Sequence, residues 1–148
     1  MTRATVLLVA LTALITACGG SPRLSRGELA RRATKICVEQ ARTIAKIPRG
    51  PATALNASGY VGAVLSVVEK GLKQFHALHP PGDEQGTYNA FLRELDRNVN
   101  ILRDLRGAAA ANDRKDYEIG LGNLHRSRLR INALERRLGL TGCVGSGA

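Results

Sequence analysis

The sequence predicts an all-α protein, an up-down-up-down four-helix bundle. Three observations lead there. Apolar residues recur at steps of three and four through four separate segments, the spacing of one helical face. Clusters of Pro and Gly punctuate the chain between those segments. Aromatic residues are only 3% of the chain and Trp is absent, so Leu, Ile, Val and Ala must fill the core, which suits helices better than a β-sandwich. At 148 residues the chain is long enough for one domain and short for two.

The chain opens with a segment outside this pattern. Met1 to Arg3 carries one positive charge, and Ala4 to Ile15 is apolar except for Thr5 and Thr12. Such a run is too short to span a bilayer, which takes about 20 residues. It has the length of a secretory signal core. A buried core helix is the alternative, but such a helix would interleave more polar positions. The segment ends Ile15-Thr16-Ala17-Cys18, an aliphatic residue, two small ones and a cysteine. This resembles the lipobox of bacterial lipoproteins. The resemblance implies a diacylglyceryl group on the Cys18 thiol and cleavage just before it. Residues 1–17 would then be a signal peptide, 18–24 a lipidated tether and 25–148 the helical domain, held at the extracytoplasmic face of the cell membrane. A two-chain lipid is enough for a stable anchor, whereas one chain holds only marginally. Six extended tether residues reach roughly 20 Å, so the body would sit close to the bilayer.

The same reading accounts for the cysteines. With Cys18 given to lipid, the odd count of three leaves Cys37 and Cys143. An oxidising compartment lets them pair, and a Cys37–Cys143 disulfide is expected; two independent buried thiols are the alternative. The loop so closed spans most of the mature chain, worth about 4–5 kcal/mol in the chain-entropy model. No CxxC occurs, so neither a redox motif nor a zinc ribbon is suggested.

Helix 1 is expected over about residues 26–47. Ser25 with Glu28 forms a capping box, and Leu29, Ala33, Ile36, Cys37, Ala41, Ile44 and Ile47 make its apolar stripe. Pro48-Arg49-Gly50-Pro51 stops it. Helix 2 starts near 53 or 58 and runs to 79, with Val61, Val64, Leu65, Val68, Leu72, Phe75 and Leu78 on one face. Gly59 and Gly62 weaken its first turns. The run "VLSVV" could pass for a strand, but it has no partner strand. Pro80-Pro81-Gly82 breaks the chain, and Asp83 and Glu84 suit a helix N-terminus. Helix 3 follows over about 83–106, with Tyr88, Phe91, Leu92, Leu95, Val99, Leu102 and Leu105 inward. Gly107 to Asn112 reads as a small-residue turn with some helical potential. Asn112 or Asp113 caps helix 4, whose stripe is Tyr117, Leu121, Leu124, Ile131, Leu134 and Leu138. Gly139 stands where a helix-ending glycine belongs. From helix 1 onward, "ATKICVEQA", "LHPP", "YNAFLREL" and "RRLGLTGC" resemble small, uncharacterised helical lipoproteins of high-GC Gram-positive bacteria. That resemblance implies a helical fold and carries over no site.

The net charge is +10. Residues 23–49 hold eight Lys or Arg against two Glu, residues 113–138 hold seven against four acidic groups, and the middle helices cancel. In an up-down bundle the start of helix 1 and the end of helix 4 share the lipid-bearing end. Arg26, Arg31, Arg32, Lys35, Arg128, Arg130, Arg136 and Arg137 are therefore candidate contacts to anionic lipid or wall polymer, at about 1 kcal/mol each at most. A solvated face is the plainer reading. The export signal and the lack of interleaved aromatics argue against nucleic acid.

Bundles can hold metals or haem between helices. His76 and His79 stand three apart, and His125 lies on helix 4, but no Glu-x-x-His pair exists and the only Met is the initiator. Structural or surface histidines are expected, with no metal and no cofactor. An enzyme is not expected, since no nucleophile stands with its base and Ser66 and Ser127 are lone helical serines. Gly120 and Gly122 on helix 4 suggest close packing, with a recess for a small apolar ligand as the alternative. The expected function is that of a non-enzymatic, lipid-anchored envelope protein. The other reading is a metal- or small-ligand-binding bundle. A closed core with outward histidines favours the first, and converging histidines or an open interhelical pocket favours the second.

Overall fold

The computed structural model describes residues 22–50 and 54–143. The signal segment, Cys18 and most of the tether lie outside the described residues. Four helices follow one another: α1 (Arg26–Ile44), α2 (Ala54–His76), α3 (Gln85–Ala110) and α4 (Arg114–Arg137), with a single 3-10 turn at Gly82–Glu84. Among the described residues there is no strand, and "VLSVV" lies inside α2.

The helix ends follow local chemistry. At the start of α1, Ser25 Oγ accepts the Glu28 N–H at 3.3 Å and the Glu28 carboxylate accepts the Ser25 N–H at 3.0 Å, the reciprocal capping box. These bonds hold the Glu28 carboxyl below its usual range. The helix proper stops at Ile44, and residues 45–47 leave it as a turn. α2 ends at His76, short of the expected 79. Pro80 disfavours helical geometry in the residue before it, and the His79 carbonyl turns to accept the Leu24 N–H at 2.8 Å. Leu24, assigned to the tether from sequence, is thus half-buried against the body. Asp83 and Glu84 form the 3-10 turn ahead of α3 rather than its first residues. α3 runs on to Ala110 because Ala108, Ala109 and Ala110 carry the strongest helix propensity. Asn112 then takes a left-handed φ of 54°, and Asp113 caps α4 by accepting the Asp116 N–H at 3.0 Å.

Packing runs in sequence order, α1 on α2, α2 on α3 and α3 on α4. No Cα of α1 lies within 8 Å of one in α4. The bundle therefore has three tight seams and one wide one.

At one end, the six residues after α4 close the wide seam. Gly139, at φ 68°, ends α4, and the Leu140 N–H reaches back to the Glu135 carbonyl at 2.8 Å. Leu140 and Cys143 are buried, and Cys143 is joined to Cys37 of α1 with Cα atoms 5.2 Å apart. Around this staple lie Leu29, Phe75, Tyr88, Phe91, Ile131 and Leu138. Phe75 and Phe91 meet edge to face at 5.3 Å, a favoured aromatic geometry. The buried Tyr88 hydroxyl donates to the Phe75 carbonyl at 2.7 Å, and burial pushes its pKa up.

The other end has its own cluster, Val61, Leu65, Val99, Leu102 and Leu105. All five belong to α2 and α3. Tyr117 and Leu124 of α4 pack against them, and α1 contributes nothing. Here Gly120 allows α4 to approach α3, since a Cβ at that position would lie 2.7 Å from a Leu105 methyl. This is the close packing that the glycine suggested. Gly122 meets no neighbouring helix.

Candidate functional site

An apolar bundle with one wide seam leaves space inside. That space is a cavity of about 430 Å³ between all four helices. Its volume falls in the range of small-molecule sites, about 300–1,000 Å³. Its floor is the stapled end, at Cys37, Phe75 and Phe91. From there, apolar side chains of α2 and α3 line it upward, among them Val64, Val68, Leu95 and Leu102. Ala41 and Ile44 of α1 face Tyr117, Leu121 and Leu124 of α4 across it. Leu121 is 45% exposed yet lines the cavity, which places a mouth along the α1–α4 seam.

Five polar side chains interrupt the lining: Gln40, Asn98, His125, Arg128 and Glu135. Gln40 is occupied, its amide donating to the Val67 carbonyl at 3.5 Å across the α1–α2 seam. Asn98 is only 8% exposed, and its side chain makes no hydrogen bond to another described residue. Glu135 is 5% exposed, and its Oε2 is buried without a partner. Burial raises the Glu135 pKa, against a weaker pull downward from Arg128 and Arg136. Arg128 is half-buried, and among the described residues no carboxylate oxygen lies within 4.0 Å of its guanidinium.

The positions of these groups on α4 explain why they face inward. The apolar stripe steps from Tyr117 to Leu121 and Leu124, then resumes at Ile131. The skipped position is Arg128, and Glu135 stands seven residues further along the same stripe. Two charged side chains thus occupy core-facing positions. The sequence reading placed Arg128 on a basic surface and left Glu135 out. The signal was present as the gap between Leu124 and Ile131.

The other basic candidates differ in their partners. Arg26 pairs with Asp83 and Glu84 at the start of α1. Arg130 binds Glu94 at 2.8 Å, and the same carboxylate accepts the fully buried Ser127 hydroxyl at 3.1 Å. Ser127 is therefore a packing residue between α4 and α3. Lys35 lies 3.9 Å from Glu39, one turn on. Arg31, Arg32, Arg136 and Arg137 are exposed and form no ion pair among the described residues.

The histidines do not gather. His76 Nε2 lies 3.5 Å from Asp96 across the α2–α3 seam, His79 is exposed in the following loop, and His125 stands at the cavity mouth. Among the described residues, one group of three potential ligands comes within 4.8 Å: Cys37, Glu135 and Cys143. Its two sulfurs are bonded to each other, so neither is the thiolate that a metal needs. No helix among the described residues is long and apolar enough to cross a membrane. Comparison with protein-family models, with curated proteins and with solved structures finds no match to this chain.

Proposed function

We propose that this chain is a lipid-anchored, extracytoplasmic binding protein that holds a small apolar ligand between its helices without transforming it. The observation that carries the reading is the apolar cavity of about 430 Å³ reached through the α1–α4 seam. A chain selected only for a stable core would fill such space, since each missing methylene weakens it. The lipobox-like Ile15 to Cys18 supports the location, and the Cys37–Cys143 bond suits an oxidising compartment. The exposed Arg31, Arg32, Arg136 and Arg137 would turn the basic end toward anionic lipid or wall polymer.

Two measurements test this. The neutral dye N-phenylnaphthylamine should bind saturably, one per chain, with enhanced fluorescence. Ala41→Trp, which fills the cavity from α1, should abolish that signal while leaving the helical spectrum intact. An undiminished response in the filled variant would exclude the cavity as the site. Intact mass of cell-derived protein should show residues 1–17 removed and Cys18 acylated; a retained leader would overturn the location.

A further inference from the structure

The polar groups inside the cavity are not distributed evenly. From Tyr117 to Arg128, the α4 wall runs about 16 Å along the helix axis at 1.5 Å per residue. The groups it presents to the cavity over that stretch are Tyr117, Leu121, Leu124, His125 and Arg128. The charged one comes at the end, one turn from His125 at the mouth. α1 presents only Ala41 and Ile44 above Gln40. On α3 the buried Asn98 interrupts an otherwise apolar face, with Leu102 and Leu105 beyond it. The cavity thus has an apolar upper portion and a polar margin.

At that margin, three side chains carry unused hydrogen-bonding capacity. Asn98 is nearly buried, and its side chain has no hydrogen bond to a described residue. Glu135 has a buried oxygen without a partner. Arg128 lines the cavity and, among the described residues, its guanidinium has no carboxylate oxygen within 4.0 Å. Of these, Glu135 Oε2 alone is fully buried, while the half-buried Arg128 and the Asn98 amide keep open donors. They are satisfied if a ligand supplies what is missing. The missing partner for a guanidinium is an oxyanion, which it binds through paired N–H donors.

We infer that the cavity takes a single-chain amphiphile with an anionic head, its alkyl chain lying along α4 toward Tyr117 and its head at Arg128 and Asn98. This rests on the cavity being a binding site, and it names the class of ligand. Fatty carboxylates and alkyl phosphates share that chemistry. Burial raises the Glu135 pKa, against the downward pull of Arg128 and Arg136. A two-chain lipid is disfavoured by a volume near the lower part of the small-molecule range.

The test uses disulfide-bonded residues 19–148, exported behind a cleavable secretory signal without a lipobox and purified without detergent. Bound N-phenylnaphthylamine is displaced by probes with one dodecyl chain and different heads: dodecanoate, dodecyl phosphate, dodecyltrimethylammonium and dodecyl maltoside. The anionic pair should displace the dye at concentrations about ten- to hundredfold lower than the cationic or neutral probe, the range of a charge-assisted hydrogen bond. The ratio of carboxylate to phosphate then separates the two sources. Arg128→Met keeps an apolar stem and should erase the anionic preference, read as the ratio of anionic to neutral displacement within that variant; Arg128→Lys should restore part of it. Equal displacement by all four heads, or a preference unchanged in Arg128→Met, overturns the head assignment and leaves the cavity standing. Failure of the dye and of every dodecyl probe to bind overturns the cavity reading itself.

Discussion

The stapled end and the open end of this bundle share three helices, α2, α3 and α4, and differ in how the fourth side is closed. At the stapled end, α1 and α4 are bridged by Leu138, Leu140 and Cys143, and every helix contributes to one buried cluster. At the open end, the cluster belongs to α2 and α3, with α4 packed on it and α1 absent. Both ends use aliphatic stripes of similar quality. The difference lies in a six-residue tail, fixed by a positive-φ glycine and a disulfide, that one end has and the other lacks. A bundle closes fully only where something spans its widest seam. Where no described residue does, aliphatic side chains line a cavity.

The largest effect that breaks this comparison is loss of the staple. The paired change Cys37→Ala with Cys143→Ala should destabilise the chain by about 4–5 kcal/mol, from a sequence separation of 106 residues. Chemical denaturation of the oxidised chain and the variant would check it. A much smaller loss would mean that the tail packs equally well without its bond.

Next comes the packing contrast between the ends. Leu29→Ala, in the filled cluster and away from the cavity lining, should cost about 4–5 kcal/mol. Leu102→Ala already borders the cavity and should fall near the low end of the core range, about 2 kcal/mol. The two unfolding midpoints would sharpen the comparison, and equal costs would contradict it.

The smallest effect concerns the charge at the junction. Burial raises the Glu135 pKa, so protonation favours the folded state. Stability should therefore fall as pH rises from the unfolded carboxyl value through the folded one. Glu135→Gln should gain about 1 kcal/mol at neutral pH, because it removes the charge that burial disfavours and keeps the side chain's shape. That gain should vanish below the unfolded pKa, where the wild-type side chain is also neutral. A gain independent of pH, read from urea midpoints across that window, would rule out a charge effect.

Much of this molecule was legible in one dimension. Helix number, the Ser25 cap, the Gly139 stop and the packing role of Gly120 all follow from short-range rules of spacing and backbone geometry. Helix ends were less so, because Pro80 acts backward on His79 and the alanines after Gly107 favour continuation. The site was hardest. Arg128 looked like one more surface cation, since charge alone does not tell which way a side chain points. Its position in the α4 stripe does, once the inner face is known.

The sequence by itself determined four amphipathic helices, their order and a cysteine pair able to join the chain's ends, because periodicity and capping depend on neighbours a few residues away. Only the tertiary structure decided that α1 and α4 stand apart, that the tail closes one end, and that Arg128, Asn98 and Glu135 meet one apolar space. Those facts depend on the spacing between helices distant in sequence, which no local pattern encodes.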